Sequence, residues 1–167
     1  NVATVISQAP TGNNAVITTD ERFVFALGAG GEGNRVEWCD QEDYTTWTAS
    51  ATNQAGGFTL ATGGNIIAAR SLRGETLILT NVDAHVARYQ GPPYVYGFQR
   101  VGTGCGIASA NACVRADNMA VWMGTNSFHI YDGGVKALPS AVGDFVFNDI
   151  NVAQRSKVFG VLNSKFS

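Results

Sequence analysis

The sequence predicts an all-β chain of consecutive antiparallel blades forming a partial β-propeller, and three observations lead there. The composition is rich in turns and poor in charge, one two-strand pattern recurs four times, and no stretch keeps a helical period. Only 14% of the 167 residues are charged against 45% apolar, where soluble domains carry about 25% charge. Twenty glycines and four prolines break the chain into short runs. No run of about 12 residues holds an i, i+3, i+4 apolar pattern free of glycine or β-branched clusters.

The recurring unit is a β-rich run, a polar two-residue turn and a second run. It spans Ala15 to Leu27 about Asp20-Glu21, Ile66 to Leu79 about Arg73-Gly74, Cys113 to Met123 about Asp117-Asn118, and Val158 to Phe166 about Asn163-Ser164. Successive turns are 53, 44 and 46 residues apart, close to the ~40 to 50 residues of a four-stranded propeller blade. A third strand follows at matching offset: Ala84 to Ala87 and Phe128 to Tyr131 each begin 11 residues past the turn. Arg35 to Trp38 takes that place in the first copy, after the glycine-rich run Gly28 to Gly33, which reads as a flexible loop.

Phe23-Val24-Phe25, Leu77-Ile78-Leu79 and Val121-Trp122-Met123 are apolar at successive positions, so both faces of those strands need cover, as sheets stacked face to face provide. The chain therefore divides into one domain over 1–167, with blades near 12–60, 61–109 and 110–155 and an incomplete blade over 156–167. A β-sandwich is the rival arrangement. The stop at Ser167, inside the last hairpin, makes the sequence read as a fragment. Such a stack is expected to leave Phe23-Val24-Phe25 and Val158-Phe159-Gly160-Val161 uncovered, and so to self-associate or be held by neighbouring subunits of a larger assembly.

A net charge of −2 with 11 lysines and arginines gives no general attraction to phosphate backbones. No apolar run approaches the ~18 residues of a membrane span, and Asn1 to Pro10 lacks a signal peptide's basic start and apolar centre. Cys39, Cys105 and Cys113 are odd in number with no CxxC pair, which favours three reduced, partly buried thiols over a Cys105–Cys113 bridge.

Two segments carry more than the blade pattern. Arg35-Val36-Glu37-Trp38-Cys39-Asp40-Gln41-Glu42-Asp43-Tyr44-Thr45-Thr46-Trp47 resembles a "W-S-D, two spaced residues, D, then T-x-W" signature of propeller-like tail proteins of tailed bacteriophages, with Cys39 in place of the serine. Ala120-Val121-Trp122-Met123-Gly124-Thr125-Asn126-Ser127-Phe128-His129-Ile130-Tyr131-Asp132-Gly133-Gly134 resembles the "WMG, then N-x-F-x-x-Y-D-G" stretch of the same proteins. The resemblance runs from about Val36 to Ser167. It implies a structural virion component, a tail hub, nozzle or head-to-tail connector, assembled in the bacterial cytoplasm. Partners would be other tail or connector subunits, including copies of itself, with DNA passing nearby but not specifically bound. It carries over no catalytic residue and no cofactor.

The same residues have a physical reading of their own. Asp40, Asp43 and Thr46 can tie down the backbone donors of a loop, while Trp38 and Trp47 cover the blade's apolar edge with their indole N–H groups at the rim. In Tyr131-Asp132-Gly133 the carboxylate can accept N–H groups of its own turn and the glycine supplies a positive φ. Trp122 is a core candidate. Asp40, Glu42 and Asp43 form the densest carboxylate cluster but lack the D-x-D-x-D-G ladder of a calcium loop. The stretch is similar to the Asp-box of sialidase-type propellers, with Glu42 where its Asp belongs and Tyr44 for its glycine. The alternative function is therefore a carbohydrate-binding or glycosidase-like propeller using Trp38, Trp47 and these acids.

His85 and His129 hold the same place in two repeats, which suits a solvent-facing or inter-blade position better than a metal site, since no third ligand recurs with them. Pro92, Pro93, Tyr94, Tyr96 and Phe98 form a stiff aromatic loop that either presents a partner contact or packs across the blade corner. None of the common nucleophile, zinc or phosphate-loop motifs is present.

Overall fold

The computed structural model describes residues 4–163 and 165. Twelve strands among them form three four-stranded antiparallel sheets, each a meander in chain order. The first sheet holds β1 (Ala15–Thr18), β2 (Val24–Leu27), β3 (Arg35–Trp38) and β4 (Gly56–Thr59). The second holds β5 (Ile66–Leu72), β6 (Glu75–Thr80), β7 (Asp83–Gly91) and β8 (Val95–Thr103). The third holds β9 (Cys113–Ala116), β10 (Met119–Met123), β11 (Phe128–Tyr131) and β12 (Val135–Leu138).

Three of the four expected hairpins and all three third strands lie where the repeat puts them. The tight turns have a local cause. Arg73-Gly74 joins Leu72 to Glu75 with Gly74 at φ 77°, and Asp117-Asn118 joins Ala116 to Met119 with Asp117 at φ 51°; two-residue hairpin turns need such left-handed residues. The first turn is wider than the expected Asp20-Glu21 pair. It spans the five residues between Thr18 and Val24, with Thr19 N–H donating to Phe23 O (3.0 Å) and Arg22 at φ 70°.

The three sheets stack in sequence order. β1 lies against β5, β5 against β9 and β10, and β8 against β12. The middle sheet is covered on both faces, as its continuous apolar runs require. Leu77, Leu79, Ala84 and Val86 join Trp122, Cys113, Ala120 and Tyr131 of the third sheet in one core. Ile66, Ala69, Ile78 and Ala87 face Phe23, Phe25, Leu27, Val36 and Trp38 of the first in another. Phe23 and Phe25 are fully buried, which corrects the expectation of an open Phe23-Val24-Phe25 surface. The other face of that strand, Val24 and Ala26, is closed by Ile6, Ala9, Ala29, Cys39 and Trp47.

The chain after β12 departs from the repeat. Val158 to Leu162, the first run of the expected fourth hairpin, forms no strand; Ser164 of its turn and Phe166 of its second run lie outside the described residues. Instead, α1 (Gly143–Asp149) and a 3-10 turn (Val152–Lys157) follow. Val146, Phe147 and Ile150 pack on the third sheet, with Phe147 5.1 Å from the Phe128 ring. So short a helix is marginal alone and is held by that packing. Neither piece reaches the three turns that would exclude an all-β reading.

Candidate functional site

The corner after β3 is built from its side chains inward. Asp40 Oδ1 accepts the N–H groups of Gln41 (2.9 Å) and Gln54 (2.8 Å), so one carboxylate closes both ends of the loop. Asp43 Oδ1 accepts from Thr45 N–H (2.9 Å) and Thr45 Oγ1 (2.5 Å), and Oδ2 from Thr46 Oγ1 (2.8 Å). Those hydroxyl bonds, that of Thr45 foremost, hold the Asp43 carboxyl below its ordinary range. Trp38 Nε1 donates to Gln54 O (2.8 Å) and Trp47 Nε1 to Tyr44 O (2.7 Å). Both indoles are buried, at 5% and 9% exposure. Glu42, at φ 62°, pairs with Arg22. The indoles of Trp38 and Trp47 and the carboxylates of Asp40 and Asp43 are thus engaged by the fold, while the Tyr44 ring stays 60% exposed.

The second motif is placed likewise. Trp122 is 1% exposed, donates from Nε1 to Cys105 O (2.8 Å) and stacks on His129 at 5.5 Å. Tyr131 is fully buried, and its hydroxyl donates to Glu75 Oε1 of the middle sheet at 2.7 Å. Burial first, and then the Glu75 carboxylate, push this phenol up to about 12. Asp132 differs from expectation: its principal partner is Lys136 Nζ, at 3.0 and 2.9 Å across the β11–β12 turn, with the turn's own N–H groups secondary. Gly133 takes the expected positive φ, 103°.

The aromatic loop divides. Pro92, Pro93 and Tyr94 are exposed, Tyr94 at 77%, and the Pro92-Pro93 bond is cis. Tyr96 is buried between sheets, its ring edge-on to Phe23 (5.2 Å) and Phe25 (4.8 Å) and its hydroxyl 2.9 Å from Thr19 Oγ1 and 3.2 Å from Glu21 Oε2. Phe98 stacks on Phe58 of the first sheet at 4.5 Å. Only the tip of the loop remains free for a partner.

Equivalent joints recur between successive sheets. The Glu of one hairpin accepts a buried Tyr hydroxyl of the next sheet, Glu21 from Tyr96 and Glu75 from Tyr131. Asn14 Nδ2 donates to Ile66 O (3.1 Å). Arg70 of β5 donates through Nε and Nη2 to Cys113 O (3.2 and 3.0 Å) and through Nη2 to Ala110 O (3.1 Å). The sequence reading missed Arg70, although a lone cation inside the run Ile66 to Leu72 is a signal of a buried or bridging role.

The glycine-rich loop is not a free loop. Ala29 is fully buried, Gly28 N–H donates to Arg35 O (2.8 Å), and Gly33 O accepts Ile66 N–H (2.7 Å) at the entry to the middle sheet. His85 and His129 both lie between sheets, opposite Ile78 and Trp122 in register, at 3% and 8% exposure, so neither faces solvent. His85 Nε2 is 3.2 Å from Asp83 Oδ1 but off line, leaving that nitrogen without a hydrogen bond. Asp83 Oδ1 accepts instead from Thr80 Oγ1 (2.6 Å) and Thr62 Oγ1 (2.9 Å). All three cysteines are free and buried; burial pushes the Cys105 and Cys113 thiols up to about 11. Among the described residues no group of three or more His, Cys, Asp or Glu side chains is placed to hold a metal, and no helix is long and apolar enough to cross a membrane.

No protein-family model matches the chain, and no curated protein matches it.

Proposed function

We propose that this chain is a structural component of a tailed-bacteriophage virion, a hub, nozzle or head-to-tail connector element acting through subunit contacts and without a reaction of its own. The reading takes the three meanders as consecutive blades of a partial β-propeller, each about one repeat long, with their first strands side by side. One observation carries it most. The motif residues Trp38, Asp40, Asp43, Thr46, Trp47, Trp122 and Tyr131 spend their polar atoms on the fold itself, as scaffold motifs do and ligand-binding residues do not. The two motif segments also carry the resemblance to propeller-like tail proteins.

A carbohydrate-binding site needs an exposed aromatic face beside unengaged carboxylates, and the buried indoles at the corner argue against it. The test is mass spectrometry of density-purified virions from a host culture producing this protein. Peptides of the chain at constant stoichiometry to the capsid protein are expected. Their absence from intact particles, or glycan binding that Trp47→Ala abolishes in a still-folded protein, would reverse the reading.

A further inference from the structure

The two ends of the stack differ. The outer face of the first sheet is covered over β2 by the chain's own Ile6, Ala9 and Trp47, while Val16 of β1 stays 62% exposed. The outer face of the third is covered by α1 and the segment after it, and this cover is itself apolar on its far side. α1 turns Val146 and Phe147 inward and leaves Phe145 in solvent at 74% exposure, with Val142 just before the helix at 59%. Phe159 and Val161, further along, are exposed at 72% and 74%. Beside them runs an apolar groove of about 170 Å³, bordered by Val114, Val121 and Phe128 of the sheet and by Val158 and Phe159. Exposed apolar side chains on the cover, beside an apolar groove, mark an interaction site.

We propose that this face binds the same face of a second copy, forming a closed two-fold dimer. The inference rests on the open-stack reading above and specifies its subunit contact. Charge selects the partner. The cover carries Asp144 and Asp149 on α1 and Arg155 and Lys157 on the 3-10 turn, two acids and two bases on neighbouring elements. A two-fold axis can set α1 of one copy against the 3-10 turn of its partner, acids to bases, which a strongly charged foreign surface cannot match.

Sedimentation and light scattering across a dilution series of the purified chain test this. A species of twice the chain's mass is expected at high concentration. Phe145→Glu and Phe159→Glu, both at exposed positions, should each raise its dissociation constant at least about tenfold with an unchanged circular-dichroism spectrum. Asp144→Lys with Asp149→Lys should weaken the dimer, and adding Arg155→Glu with Lys157→Glu should restore it. A monomer at every concentration, a dimer indifferent to these changes, or species that grow beyond two copies would each overturn the proposal. Virion content is read separately, so a dimer absent from particles sinks the virion role alone, and a virion protein that stays monomeric sinks this contact alone.

Discussion

At Tyr131 a single hydroxyl joins two sheets, since its ring lies in the core of one pair while its oxygen reaches Glu75 of the neighbouring hairpin. Tyr131→Phe removes that donor but leaves the Glu75 carboxylate its Arg88 partner at 2.8 Å, so the loss should be near the ordinary value of a hydrogen bond, about 1 kcal/mol. Urea titration of Tyr131→Phe, Glu75→Gln and the double variant should show coupling between the two sites; additive losses would mean the contact contributes nothing. His129 sets a pH dependence. Burial holds its imidazole below the ordinary 6.5, so the folded state favours the neutral ring and the unfolded chain takes up the proton first. The associated stability is complete above about pH 6.5 and declines as pH falls through that value toward the folded pKa. The urea midpoint should therefore drop between about pH 7.5 and about pH 5.5, and His129→Gln should reduce the drop. An identical drop in the variant would assign the effect to other groups.

The connections between sheets are tighter than their composition suggests. Gly106, on the chain leaving the second sheet, sits against the β6–β7 turn, where an added Cβ would lie 2.0 Å from Asn81 O and 2.5 Å from Val82 N. Those are backbone atoms that cannot rotate aside. Gly106→Ala should lower the melting temperature by roughly 2–4 °C or more, at least about 1 kcal/mol, whereas Gly63→Ala, which meets no atom within 4 Å, should leave it nearly unchanged. Equal effects would show that the connection gives way. α1 marks the limit of periodicity as a guide to elements. Val146 and Ile150, four residues apart, turn Gly143–Asp149 toward the third sheet, but one turn of spacing is too short to show over the ~12 residues in which a helical period is recognised.

The whole molecule is a stack whose middle layer is enclosed from both sides. Leu77 and Ile78 are adjacent, fully buried, and in different cores. Leu77→Ala and Ile78→Ala should each cost about 2–5 kcal/mol, and the paired strands β6 and β7 should exchange amide hydrogens more slowly than β1 or β12. Slower exchange in an outer sheet would place the stable centre elsewhere. The sequence by itself determined the β class, the positions of three hairpins and three third strands, and the buried character of Trp38, Trp47 and Trp122. These follow from local rules: apolar runs, turn residues and their regular offsets. Only the tertiary structure decided that Phe23 and Phe25 are covered, that His85 and His129 lie between sheets, that Asp132 pairs chiefly with Lys136, and that Arg70 ties β5 to β9. Each depends on which distant surface arrives opposite a residue, and a one-dimensional period carries no record of that.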